Sequence, residues 1–131
     1  MRKQLQDMKL RSDHTAEGVP AKMWRESGPE WGNKVCAVHQ FGPGVDATPS
    51  FQGLPDGLCP APHWGYCLKG ELTVRFKDGT EEVLRAGDAF HWPAGHTFFT
   101  DKDAKQDCVL IEFSELADVT RMEKDLGNAK K

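Results

Sequence analysis

The stretch from Tyr66 to Thr100 restricts the fold more than any other part of the chain. Leu72, Val74 and Phe76 alternate with Glu71, Thr73, Arg75 and Lys77, so a strand here has one buried and one wet face. Asp78-Gly79 follows as a hairpin signal of the type I′ class, and Glu81 to Arg85 returns. Ala86-Gly87-Asp88 turns the chain again, and Ala89 to Trp92 is the next strand. That strand breaks at Pro93-Ala94-Gly95, and Thr97 to Thr100 continues beyond the corner. Short strands at even spacing, each closed by Gly or Pro, specify a sandwich or barrel. No strand–helix alternation supports a parallel sheet.

The flanks extend this pattern. Val35 to Phe41 is a strand with Val35, Ala37, His39 and Phe41 on one face. Residues 42–62 are rich in Pro and Gly and form a long loop, with at most a short strand near Ser50 to Gln52; loops of this length in compact domains commonly carry function. Cys108 to Phe113 is the last strand, expected to face inward with Val109, Ile111 and Phe113. Leu116, Val119, Met122 and Leu126 then recur at helical spacing, with Gly127 as a stop and Asn128 to Lys131 frayed. This helix is expected to pack on the barrel or on a dimer mate. Residues 1–34 read as an irregular arm with one short strand at Lys22 to Arg25, and with Trp24 and Trp31 tucked against the core or a partner subunit. The expected organisation is an arm (1–34), a barrel (35–113), and a helix with its tail (114–131).

With 131 residues and 38% apolar side chains the chain has material for one core. Its net charge of −3, without a basic stripe, argues against nucleic acid as a partner. No apolar run is long enough to span a membrane, and the charged N-terminus is not backed by an apolar stretch. These features predict a cytoplasmic protein whose partners are small molecules or a second copy of itself. The four cysteines are widely spaced without a Cys-x-x-Cys pair, so free thiols are expected. Cys36, Cys67 and Cys108 sit in apolar strand-like runs and read as small buried hydrophobes, whereas Cys59 lies among prolines and turn residues.

Two stretches carry the chemistry. In one, Gly87-Asp88-Ala89-Phe90-His91-Trp92-Pro93-Ala94-Gly95-His96, a rigid corner delivers an imidazole. In the other, His63-Trp64-Gly65-Tyr66 carries a second imidazole into a strand. The spacing over residues 35–113 resembles the cupin superfamily, the small double-stranded β-helix or jelly-roll barrels. One family motif is glycine, five residues, Pro-x-Gly, two residues, histidine. Gly87 and Pro93-Ala94-Gly95 match it, with Phe98 at the family's histidine position and a histidine instead at His96. In the other motif, counting back from Gly70 puts His63 where the family has glutamate, Cys59 where it has its second histidine, and Gly57 at its first. The Cys-Pro-x-Pro-His-Trp-Gly-Tyr stretch and the Pro-x-Gly-His corner are most similar to small single-domain bacterial cupins. The resemblance implies an all-β cupin-type jelly-roll barrel, commonly a homodimer.

Beside the resemblance, Cys59, His63 and His96 form a borderline-soft donor set. It suits one divalent metal, zinc foremost, with iron, nickel or copper less suited on softness alone. Three protein ligands leave a position for water or a small oxygenated ligand. A straight strand would separate the Cα atoms of residues 59 and 63 by about 13 Å, so the segment must turn at Pro60 and Pro62. Plainer readings exist: a core histidine at 63, a corner cap at 96, an unligated thiol at 59. A Cys59 nucleophile with His63 as base is a further reading, though no third orienting group is evident. Tyr66, His91, Phe98 and His39 are candidates for the pocket lining, His39 also reading as a satisfied core histidine. Trp64 and Trp92 fit either the mouth or a subunit interface. The expected activity is binding of a small organic molecule, with its oxidation, isomerisation or hydrolysis; the alternative is a non-catalytic, sensory or metal-free binder.

Overall fold

The computed structural model describes residues 1–129. Among them are nine strands and one helix: β1 (Leu10–Asp13), β2 (Ala21–Gly28), β3 (Lys34–Phe41), β4 (His63–Lys69), β5 (Glu71–Phe76), β6 (Glu81–Arg85), β7 (Ala89–Trp92), β8 (His96–Phe99), β9 (Cys108–Glu115) and α1 (Leu116–Ala129). A six-stranded sheet in the order β1-β2-β3-β9-β4-β7 faces a three-stranded sheet in the order β6-β5-β8, and the pairs are antiparallel. This is a jelly-roll β-barrel. No helix of the described residues is long and apolar enough to cross a membrane.

Alternation places the core between the sheets. Leu72 and Val74 of β5 are fully buried, as the period-two reading requires, and meet Cys67, Leu110, Phe90 and Trp92 from the large sheet. On β4 the same period sends His63, Gly65 and Cys67 inward and Trp64, Tyr66 and Leu68 outward. Gly65 has no side chain for a packing reason. A Cβ built there would lie 2.1 Å from the Ile111 carbonyl oxygen and 2.6 Å from the Phe90 ring, and that ring fills the space.

Four local expectations are corrected. The inward face of β9 is Cys108, Leu110, Glu112 and Ser114, not Val109, Ile111 and Phe113; Phe113 is exposed. Both parities of this strand carry apolar residues. Glu112 and Ser114 read as wet in sequence but are buried because they meet imidazoles inside the barrel. At the β5–β6 turn only Gly79 takes a positive φ (+86°), so the turn is not type I′. The Asp78 carboxylate accepts from the Thr80 amide and hydroxyl and holds the turn instead. Thr48–Phe51 is a 3₁₀ turn rather than part of a strand. Helix α1 runs through Gly127 to Ala129, so Asn128 and Ala129 are helical; positions 130 and 131 lie outside the described residues.

The first part of the chain is more ordered than its mixed composition suggests. Ala21–Gly28 pairs with β3 along its whole length, and β1 pairs with β2. Lys3 Nζ and the Lys9 amide both donate to the buried Glu26 carboxylate, which draws the leading residues along the outer face of β2.

Candidate metal centre and cavity

The two chemistry-bearing stretches are joined by their backbones. The Cys59 amide donates to the His96 carbonyl at 2.9 Å, and the Gly95 amide donates to the Cys59 carbonyl at 2.8 Å. Gly95 makes this possible at φ +88°, in the left-handed region where a side chain is strained. Between Pro60 and Pro62 the chain bends at Ala61 and turns back into β4. Cys59 Sγ therefore comes within 3.6 Å of His63 Nε2, as the expected bend requires. His96, the first residue of β8, shares its inward parity with Phe98 and is fully buried. One ligand atom from each of Cys59, His63 and His96 lies within 4.8 Å of the other two.

A hydrogen bond fixes the tautomer of His96. The Pro93 carbonyl can only accept, so His96 Nδ1 donates to it at 2.9 Å and Nε2 carries the lone pair. That Nε2 is buried and has no hydrogen-bond partner among the described residues. His63 Nδ1 lies 2.5 Å from Ser114 Oγ and 3.9 Å from Glu112 Oε1, which leaves its Nε2 to face Cys59. His39 Nε2 donates to Glu112 Oε1 at 2.8 Å.

The electrostatics follow from burial. Burial lowers the His63 pKa, against the attraction of Glu112. It lowers that of His96 to about 4, against the bond to Pro93. Both imidazoles are thus neutral at pH 7 and hold lone pairs. Burial pushes the Cys59 thiol up to about 12, so the thiolate forms only against a cation. Burial also pushes the Glu112 carboxyl up, but His63 and His39 outweigh it and hold the group ionised. The set offers two neutral imidazoles, one with its lone pair preset on Nε2, and a thiol whose proton a metal displaces, a fit to a thiophilic divalent ion.

A cavity of about 420 Å³ opens onto this cluster between β2, β3, the loop near Ala47 and helix α1. Its walls are mainly apolar, with His39, Glu112 and His63 as a polar strip. Helix α1 covers it with Val119, Met122 and Leu126, three of the four residues read as its inward face. Glu123 latches this helix to Arg11 and Arg25.

Of the pocket candidates, Phe98 and His39 line the cavity. Tyr66 and His91 do not. Both lie on the outer face of the large sheet, where His91 stacks on Trp64 at 4.9 Å. Trp92 is fully buried against His63 and His96, and its Nε1 also lacks a partner among the described residues. Sequence reasoning missed Glu112, Ser114 and Met122. The parity of β9 with Leu110 was the available signal for the first two.

Comparison with known proteins bears on the fold around these residues. The model of the cupin domain family matches residues 60–113. That segment holds His63, His96 and the Pro-Ala-Gly corner. Over that segment the chain matches the cupin domain family, and its fold is the jelly-roll barrel of solved cupin structures. No curated protein matches its sequence. Among solved structures, the chain is similar to a predicted oxalate decarboxylase from Thermotoga maritima, at 16% identity over 88% of this chain and 99% of that one, with a TM-score of 0.61. The polyketide cyclase RemF from Streptomyces resistomycificus is 19% identical over 88% of this chain and 79% of that one, with a TM-score of 0.59. An RmlC-like cupin from Shewanella frigidimarina is 17% identical over 86% of each chain, with a TM-score of 0.56. At these identities the likeness is one of fold.

Proposed function

We propose that this protein holds one divalent metal on Cys59, His63 and His96 and binds a small oxygen-bearing organic molecule in the cavity beside it. The observation that carries the reading is the buried, unpartnered His96 Nε2, whose lone pair is presented to the other two donors. A buried polar atom without a partner costs roughly 1–3 kcal/mol, which a bound cation repays. When bound, the metal supplies Lewis-acid polarisation of an oxygen ligand. The chain's own residues would orient that ligand. The apolar walls exclude water, Phe98 packs against the organic part, and Glu112 with His39 offers a hydrogen-bonded carboxylate–imidazole pair. Such a pair is what a catalyst of oxidation, isomerisation or hydrolysis needs and a passive binder does not. Enzymes among the similar folds, a polyketide cyclase and a predicted oxalate decarboxylase, favour the same reading. Four buried thiols without a disulfide are consistent with a cytoplasmic setting.

Elemental analysis tests the centre. Protein purified without added metal should carry close to one equivalent of zinc, iron, nickel or another thiophilic ion per chain. His63→Ala and His96→Ala should each lose it, and full occupancy in both variants would refute the assignment.

We also infer a homodimer through the outer face of the large sheet. Trp64, Tyr66, Leu68 and Phe113 are exposed there on neighbouring β4 and β9, while the chain's leading segment is tied down beside them at Glu26. Large contiguous apolar patches are rare on monomers, and a second copy with the same flat face is the partner always present. In sedimentation equilibrium the wild type should be a dimer and Trp64→Glu a monomer; a monomeric wild type at micromolar concentration would rule this out.

A further inference from the structure

We propose that Met122 is a fourth donor of the metal centre, and that the resulting set of one thiolate, two imidazoles and one thioether takes copper in preference to zinc. The inference rests on the metal centre proposed above and not on any organic ligand of the cavity.

Met122 Sδ lies 3.5 Å from Cys59 Sγ, nearly the separation of Cys59 Sγ from His63 Nε2 at 3.6 Å. Two sulfur ligands on one four-coordinate ion stand roughly 3.5–4 Å apart, from metal–sulfur bonds near 2.3 Å. The thioether is therefore already at a distance from the thiol that shared coordination requires. Helix periodicity brings it there. Leu116, Val119, Met122 and Leu126 face the barrel, and Met122 is the one whose heteroatom meets Cys59. A leucine would satisfy the packing equally well, whereas a sulfur beside a thiol adds a donor. The orphaned Nε2 of His96, buried in the same cluster, independently points to a ligand there.

The fourth donor changes which ion the site selects. Cys59, His63 and His96 alone suit zinc with an open position. Copper already exceeds zinc in affinity for a given nitrogen–sulfur site, and a thioether is a soft donor that copper uses readily. Two imidazoles and a thiolate with a weak, long thioether are a composition characteristic of copper sites with strong thiolate-to-metal charge transfer.

The test uses the full-length protein, stripped with chelator and fully reduced, titrated without oxygen with copper(II) chloride and separately with zinc chloride. The wild type should take one copper per chain and develop an intense visible charge-transfer band, which Cys59→Ser abolishes. Met122→Leu keeps the packing. It should still bind one copper, with a shifted band and altered paramagnetic resonance, and with copper affinity lower by roughly tenfold. Its zinc affinity should stay within about twofold, since zinc makes little use of a thioether. Loading with copper(I) in competition with a chromophoric chelator covers reduction of the added copper(II) by the thiol. A Met122→Leu protein with the wild-type spectrum and copper affinity overturns the role of Met122 and leaves the three-ligand centre standing. Preference for zinc in direct competition overturns the copper assignment. Refusal of both metals by the wild type overturns the centre itself.

Discussion

Glu112→Ala should lower the stability of the metal-free protein by about 3 kcal/mol, and Glu112→Gln by about half as much, read as shifts of the denaturant midpoint at neutral pH. The carboxylate lies inside the barrel, where removing one partner of a buried pair is far more costly than the pair is worth. Alanine strips the acceptor from His39 Nε2 at 2.8 Å and a polar neighbour from His63 at 3.9 Å, and leaves a void next to Gly65. Glutamine retains a carbonyl for the His39 N–H and most of the volume, so the difference between the two variants isolates the charge. The slope of the transition should not change, because the surface exposed on unfolding is the same. An alanine variant within about 0.5 kcal/mol of wild type would show that the carboxylate is an incidental occupant of the site.

The metal-free protein should also have a bounded pH window of stability. On the acid side, an unfolded residue 96 binds a proton at its ordinary value of 6.5, whereas burial delays this in the folded state to about 4. Between those values the unfolded chain holds the extra proton, so stability falls as the pH falls, by up to about 3 kcal/mol. His63 shifts in the same direction and adds to the loss. On the alkaline side, the Cys59 thiol ionises from 9.0 when unfolded but only near 12 when folded. The unfolded chain then holds fewer protons, and stability falls as the pH rises above 9; Cys108 behaves alike. Denaturant midpoints measured from pH 4.5 to 10 should trace this dome, and His96→Gln should flatten the acid limb. A wild type equally stable at pH 7 and 4.5 would contradict the burial on which the site depends.

Much of this architecture is legible in residue order. The alternation of Leu72, Val74 and Phe76 places β5 in the core, because a pleated strand with one wet face has few other options. Pro93-Ala94-Gly95 announces the corner that aims His96, and Pro60 and Pro62 announce the bend that returns His63 toward Cys59. Period two also separates Phe98, which reaches the cavity, from residues of the opposite face. It would have excluded Tyr66 and His91 had the inward parity of β4 and β7 been anchored on His63 and Trp92. The last strand resisted the same logic. Val109, Ile111 and Phe113 are as apolar as Cys108 and Leu110, and nothing in a linear pattern says that Glu112 is needed indoors.

From order alone, then, this chain commits to short antiparallel strands, a closed barrel, and a thiol and two imidazoles held at turns and strand starts. Those features depend on neighbours a few residues away, where backbone stereochemistry and side-chain period are decisive. Which parity of β9 faces inward, the bonding of Glu112 to His39 and the arrival of Met122 at Cys59 were settled only by the folded chain. Each is a contact between residues dozens of positions apart, and its energy comes from burying charge and sulfur together in a space that exists only after both sheets and the helix have closed around it.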